Sequence, residues 1–275
     1  MKLTGHIERA GSLSRIDFPA KMLMECPLCK TQHPLLVRGT VRSPENNELN
    51  GDVLDRGYAF CACRNIFYTD WSNMDQRIYD EDYSDRYDDE KISEGYREGT
   101  KYYFPIIEKL TDIKKFCEIG SINPTILDEA KKKGWETTRL DICELSVDDE
   151  HEDIIGDIES PDVVNKLHDM DVIWMSHLVE HLKDPMGAMD NIRGALAEGG
   201  LAVISMPDPY FIDWAKPRDW GHWALREHHI MWDLDSFIEM MEEKGFKCVY
   251  SKRHLFERTF QCIREFTAIF QKVGK

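Results

Sequence analysis

The chain has 275 residues, room for one large domain or for an ordinary domain with a small appendage. Its 51 acidic residues outnumber 35 basic ones for a formal charge of −16. That balance argues against a nucleic-acid backbone or an anionic membrane surface as main partner, because both are held by basic groups. No apolar run reaches the roughly 18 residues of a bilayer span, and Met1–Glu8 is polar where a secretory signal would be apolar. A cytoplasmic protein is expected.

Residues 1–75 carry short strand-like pieces, Leu35-Leu36-Val37 and Tyr58-Ala59-Phe60, separated by the turn-rich Ser43–Asn47 and Asn50-Gly51-Asp52. This predicts a small β-rich module. In a reducing compartment the eight cysteines are not a disulfide framework. Four of them come in tight pairs, Cys26-Pro27-Leu28-Cys29 and Cys61-Ala62-Cys63, and each pair offers half of a tetrahedral zinc site that would close a domain too small to fold by apolar burial alone. Cys26, Cys29, Cys61 and Cys63 are thus the predicted ligands of a structural zinc. The C-x-C spacing is less common than C-x-x-C, and His33 is the alternative fourth ligand, although a lone loop histidine is more often solvent-exposed. A redox pair and four unligated thiols are the competing readings. Cys117, Cys143, Cys248 and Cys262 lie singly in apolar contexts and read as small core residues.

Residues 76–103 form an acidic, tyrosine-rich connector or lid. Nine acids lie between Asp80 and Glu98 against Arg86, Lys91 and Arg97, a pattern that usually marks a solvated face, and Tyr79, Tyr83 and Tyr87 would share one helical face.

From residue 104 to 275 short apolar runs alternate with amphipathic stretches, the pattern of βα units around a mostly parallel, doubly wound sheet. Strands are expected at Lys115–Ile119, Glu136–Leu140, Asp153–Ile155, Asp171–Met175, Leu201–Ser205, Lys247–Ser251 and Glu265–Phe270. Helices are expected at Pro124–Lys133, Pro161–His168, Pro185–Ala197 and Leu234–Lys244, with Glu198-Gly199-Gly200 and Lys244-Gly245 as helix stops. Phe116-Cys117-Glu118-Ile119-Gly120-Ser121 ends an apolar strand in an acid and a glycine turn, and Thr137–Asp141 ends the next strand in another acid. In open α/β sheets, nucleotide-type ligands dock at such strand ends, the second acid facing ribose hydroxyls.

Downstream the signals become joint: Asp171–Ser176, then His177-Leu178-Val179-Glu180-His181-Leu182-Lys183-Asp184-Pro185, then Glu198-Gly199-Gly200-Leu201–Pro207, and finally Glu227-His228-His229 and Glu243–Phe246. With these residues the chain resembles the class I S-adenosylmethionine-dependent methyltransferases over roughly 24–271, most specifically over 171–246. Its cysteine pairs resemble the zinc-binding module of one branch that includes sugar methyltransferases. The resemblance implies a Rossmann-like seven-stranded mixed sheet, its last strand antiparallel, with a zinc-ribbon-like β module in front. It places Glu118 and Gly120 at the methionine end of S-adenosylmethionine, and Asp141 with Ile142 at its ribose. Asp157 with Ile158 falls at the adenine, and His177 beside the methyl group. The chain departs from the family at Ile122 and Pro124, where further glycines are usual.

Methyl transfer from a sulfonium is an in-line displacement, so the protein has to align the reactants and, for a hydroxyl acceptor, remove a proton. Histidine suits that base role. His177, His222, Glu227 and His228 are the catalytic candidates, a histidine oriented by a glutamate being the expected pair, with His228 or His222 first. The plainer reading has Glu180 and His181 bracing a loop and His229 packing in the core. Trp214, Trp220, Trp223 and Trp232, with Tyr210 and Phe211, form either lid packing or a stacking wall for a sugar or planar acceptor. The expected activity is methyl transfer to a small, hydroxylated acceptor such as a sugar or sugar nucleotide. A catalytically idle binding or scaffold protein is the alternative, and nucleic-acid methylation is disfavoured by the charge.

Overall fold

A computed structural model describes residues 23–41, 54–69, 90–121, 123–143, 151–164, 166–212, 222, 228–258 and 261–274. The larger of its two sheets is built from β5 (Lys115–Ile119), β6 (Glu136–Asp141), β7 (Glu152–Ile155), β8 (Met170–Ser176), β9 (Leu196–Pro207), β11 (Phe246–Arg258) and β12 (Gln261–Lys272). Their spatial order is β11-β12-β9-β8-β5-β6-β7; β12 runs antiparallel to both β9 and β11, while the pairs from β9 to β7 are parallel. All seven expected strands are present, and the sheet is mixed as the resemblance implies.

Strand polarity explains the two-sided core. Central strands buried on both faces read as nearly continuous apolar runs, and alternate residues go to opposite faces. Along β8, Val172 and Trp174 join one apolar cluster while Met170, Ile173 and Met175 join the other; along β9, Leu201 and Val203 oppose Ala202, Ile204 and Met206. The first cluster is covered by α1 (Glu90–Ile107) and α2 (Thr125–Lys132) through Tyr103, Phe104, Ile107, Ile126 and Leu127. The second is covered by α4 (Pro185–Ala195) and α5 (Leu234–Glu243) through Met189, Ile192, Phe237, Met240 and Met241. A single short turn of helix, α3 (Pro161–Val164), precedes β8.

Helix starts follow capping chemistry. Asp184 caps α4 by accepting from the Gly187 amide at 3.0 Å with Pro185 just inside, and Asp233 caps α5 by accepting from Asp235 and Ser236. Gly245, at φ +81°, closes α5 as expected. Glu198-Gly199-Gly200 differs from expectation: α4 stops at Ala195 and these residues lie inside β9, where the register against β8 shifts. A Cβ on Gly200 would meet the Met170 carbonyl at 2.9 Å, so this glycine permits close strand approach, while Gly199 takes φ +78°; neither ends a helix.

The smaller sheet, in order β1-β2-β3-β4-β10, is antiparallel throughout: β1 (Leu23–Glu25), β2 (Gln32–Val41), β3 (Leu54–Cys61), β4 (Ile66–Thr69) and β10 (Ile230–Met231). Its last strand comes from the far end of the chain, with Ile230 opposite Tyr68. Cys26, Ala59, Cys61, Ile66 and Tyr68 belong to the same apolar cluster as α4 and α5. Helix α1 starts inside the span expected to be a connector and continues past residue 103. Its exposed flank carries the acids while Ser93, Thr100, Phe104 and Ile107 face inward.

Candidate active site

The carboxyl ends of β5, β6 and β7 bring together the residues expected at the cofactor. Gly120 takes φ +75°, its amide donates to the Leu140 carbonyl at 2.9 Å, and a Cβ there would lie 3.1 Å from Leu178. Glycine is required at this turn on both counts. Glu118 is 4% exposed and accepts from the Ser121 hydroxyl at 2.9 Å; burial pushes its carboxyl up to about 8 despite that bond and the nearby Arg139. Asp141 ends β6, and its Oδ1 accepts from the Cys143 amide at 2.9 Å. Burial raises this carboxyl too, against the pull of that amide and of Arg139. Ile142 is exposed, and so is Ile155, which pairs with Asp141 across β6 and β7. Asp157 is exposed and accepts from the Glu159 amide, whereas Ile158 is buried. Ile122 lies outside the described residues.

Arg139 was not expected here. It is 1% exposed and ties the loops together: Nε donates to the Ser121 carbonyl at 3.0 Å, one terminal nitrogen to Asp153 at 2.8 Å and the other to the Cys143 carbonyl at 3.1 Å. An arginine in a run of threonines gives no sequence sign of burial, because its partners come from two other strand ends.

Past β8 lies a histidine cluster. His177 takes φ +52°, the left-handed region that residues with a Cβ seldom adopt, and its amide donates to the Ser205 carbonyl at 2.9 Å. Its Nε2 is 3.2 Å from Glu265 Oε1 and its Nδ1 3.4 Å from Glu180 Oε1. The His222 ring stacks on it at 5.3 Å, with Nε2 3.6 Å from the same Glu265 oxygen. Burial opposes charge on His177, yet Glu265 and Glu180 raise it well above its ordinary 6.5. Glu265 is held below the usual carboxylate range by His177 and His222, against the effect of burial. His228 extends the cluster, its ring centroid 6.4 Å from that of His222; it is 7% exposed and driven well below 6.5 by burial and by neighbouring His181. The structure therefore brings His177 and His222 onto one carboxylate, from β12, that the sequence did not single out, since it lies 88 positions beyond His177. Glu227 lies outside the described residues, as do Trp214, Trp220, Trp223 and the three tyrosines at 79, 83 and 87. Trp232 is buried edge-on against Phe237, and His229 is fully buried, so both pack in the core.

A cavity of about 840 Å³ opens beside this cluster under α1. Its lining includes Tyr102, Tyr103, Trp174, His177, His254 and Glu265; Gly120, Glu118 and Asp141 do not line it. Tyr103 shares a hydrogen bond with His254 Nε2, and Ser205 with Thr267 at 2.8 Å on the cavity wall.

In the small sheet the sulfurs of Cys29 and Cys61 are 3.4 Å apart, and His33 Nε2 is 3.9 Å from Cys29 Sγ. Donor atoms of Cys29, His33, Cys61 and Cys63 all lie within 4.8 Å of one another. A tetrahedron of Zn–S bonds sets ligand sulfurs about 3.8 Å apart, so the donor set fits zinc. Cys26, predicted as a ligand, is fully buried and lies outside that set, His33 standing in it instead, although the Cys26 thiol is close enough to those of Cys29 and Cys61 to interact with both. Cys117 is fully buried, as a core residue should be; Cys143 and Cys248 are partly buried, and the Cys262 side chain lies outside the described residues.

Residues 89–251 match the family model of a methyltransferase domain, and the chain belongs to that family. A putative sarcosine dimethylglycine methyltransferase from Galdieria sulphuraria shares the fold, with a TM-score of 0.51, 14% identity, and coverage of 74% of this chain and 95% of that one. The putative methyltransferase complexed with the Trm112 activator of Haloferax volcanii also gives 0.51, at 11% identity over 70% of this chain and 97% of that chain. The N-methyltransferase NodS of Bradyrhizobium japonicum, solved with S-adenosyl-L-homocysteine, gives 0.49 at 15% identity over 72% and 95%. No curated protein matches significantly. The sheet order and the family match together define a class I S-adenosylmethionine-dependent methyltransferase fold.

Proposed function

We propose that this protein transfers the methyl group of S-adenosylmethionine to a hydroxyl of a small acceptor, such as a sugar or sugar nucleotide, held in the cavity under α1. The carrying observation is the family match together with Gly120 and Asp141 at adjacent parallel strand ends, next to His177. When bound, S-adenosylmethionine supplies an activated methyl on a sulfonium sulfur. Asp141 is the residue for the ribose hydroxyls, Gly120 with Glu118 for the methionine end, and Asp157 with Ile158 for the adenine. Ile142 and Ile155, exposed apolar side chains on either side of Asp141, suit the flat base.

On the acceptor side, tyrosine hydroxyls, imidazoles and the Ser205–Thr267 pair give the cavity the hydrogen-bonding variety a polyhydroxylated ligand needs. His222 is the base for the acceptor proton: it stacks on His177, which lines the cavity, and both imidazoles face the same Glu265 oxygen. His228, its ring centroid 6.4 Å from that of His222, lies 4.0 Å from Glu180. Calorimetry with S-adenosylhomocysteine tests the reading: binding to the intact protein should be weakened by more than about tenfold in Asp141→Ala, a loss of about 1.4 kcal/mol or more. Absence of binding to wild type would leave the idle scaffold.

The same reading includes a structural zinc in the small sheet. Cys29 and Cys61 supply two ligands, and Cys26, Cys63 and His33 compete for the other two. Metal analysis of purified protein should give one zinc per chain. His33→Ala retains it if Cys26 is the fourth ligand and loses it if His33 is. A stoichiometry near zero with freely titratable thiols would overturn the zinc.

A further inference from the structure

Glu180, in the helical turn Val179–His181 that follows β8, is 2% exposed, and among the described residues neither of its carboxylate oxygens has a hydrogen-bond partner. A carboxylate in that position is costly unless something compensates it. Imidazoles surround it. Oε1 lies 3.8 Å from His181 Nε2, 4.0 Å from His228 Nε2 and 3.4 Å from His177 Nδ1, spacings of ion pairs rather than of hydrogen bonds. Donor atoms of Glu180, His181 and His228 are all within 4.8 Å of one another, and the three residues are buried or nearly so.

We propose that Glu180, His181 and His228 form a binding site for a first-row divalent cation, distinct from the cysteine cluster. Two imidazoles and one carboxylate are a set that such cations accept with coordination positions to spare. Ligand atoms about 2.1 Å from a common ion stand about 3.4 Å apart, so closing 3.8 and 4.0 Å needs only small side-chain rotations. The backbone is already fixed for it. The His229 amide donates to the Glu180 carbonyl at 2.7 Å, which locks the turn after β8 to the segment entering β10. The ion adds positive charge beside a buried carboxylate whose neighbouring imidazole His177, 3.4 Å away, is shared with Glu265. If the cavity is the acceptor site, the ion would stand just behind its wall, because His177 both lines the cavity and reaches Glu180. With Glu180 engaged by the ion, His177 is left to Glu265. This last consequence rests on the methyl-transfer reading; the site itself does not.

The test uses full-length protein with whatever metal its cysteines hold, titrated with Mn2+, a cation suited to nitrogen and oxygen ligands rather than thiolates. The six-line resonance of free Mn2+ should be quenched by one equivalent of protein. Glu180→Gln and His228→Ala should each raise the Mn2+ dissociation constant more than about tenfold, since even indirect partners of a ligand cost that much. Glu180→Gln preserves shape, so it carries the test if His228→Ala does not melt cooperatively. A wild-type protein that leaves the resonance unchanged, or a folded Glu180→Gln that binds as wild type, would overturn the site. Neither donor nor acceptor is present, so failure here is separable from failure to bind S-adenosylhomocysteine.

Discussion

Glu118 shows what burial does to a single acid. The unfolded chain releases this proton near 4.5, whereas the folded protein keeps it up to about 8, so the folded state binds the extra proton and stability falls as pH rises across that window. In ligand-free protein Glu118→Gln should therefore match wild type near pH 5 and exceed it by up to about 4 kcal/mol by pH 9, at about 1.4 kcal/mol per unit. Urea denaturation at the two pH values checks this; a gap independent of pH would contradict it. Glu118, Gly120 and Asp141 were legible because strand ends announce themselves through apolar runs that stop at an acid or a glycine. Arg139 and Glu265 were not. Each acquires its place from partners that the sheet order brings in from elsewhere, Arg139 from Ser121, Asp153 and Cys143, and Glu265 from His177 and His222.

Among the elements, the strands of the large sheet were found within a few residues because short apolar runs between amphipathic stretches mark them, although β11 and β12 run well beyond their expected ends as a long hairpin. α1 was hidden by the composition of its surroundings. The acids that colour its span lie mostly ahead of it, and only one stripe of the helix matters to the fold: there Phe104 lies against Phe116, Trp135 and Trp174 with ring centroids 4.9–6.0 Å apart. Phe104→Ala should cost about 3–5 kcal/mol in denaturant unfolding, as emptying a filled aromatic site does. Substitutions of exposed Glu98 or Lys101, an ion pair at the surface, should change stability by less than about 1 kcal/mol. The strand β10 had no sequence signal at all, being two residues long with its meaning supplied by β4.

At the scale of the molecule, the small sheet and the large one are not independent bodies, since Cys26, Cys61 and Tyr68 share an apolar cluster with α4 and α5. Arg64 adds an ion pair with Glu243 of α5 at 2.6 Å. If the cysteines hold the proposed zinc, removing it with a chelator should therefore lower one common melting transition, by about 5 °C or more, rather than detach a separate low-temperature transition. Calorimetry distinguishes the two outcomes. Residue 230 completes a sheet whose other strands end at residue 69. During synthesis the first sheet therefore stays open for a long time: some 160 residues must leave the ribosome before β4 finds its outer neighbour, while the intervening parallel strands pair among themselves. The cysteines, made early, wait for a surface made late.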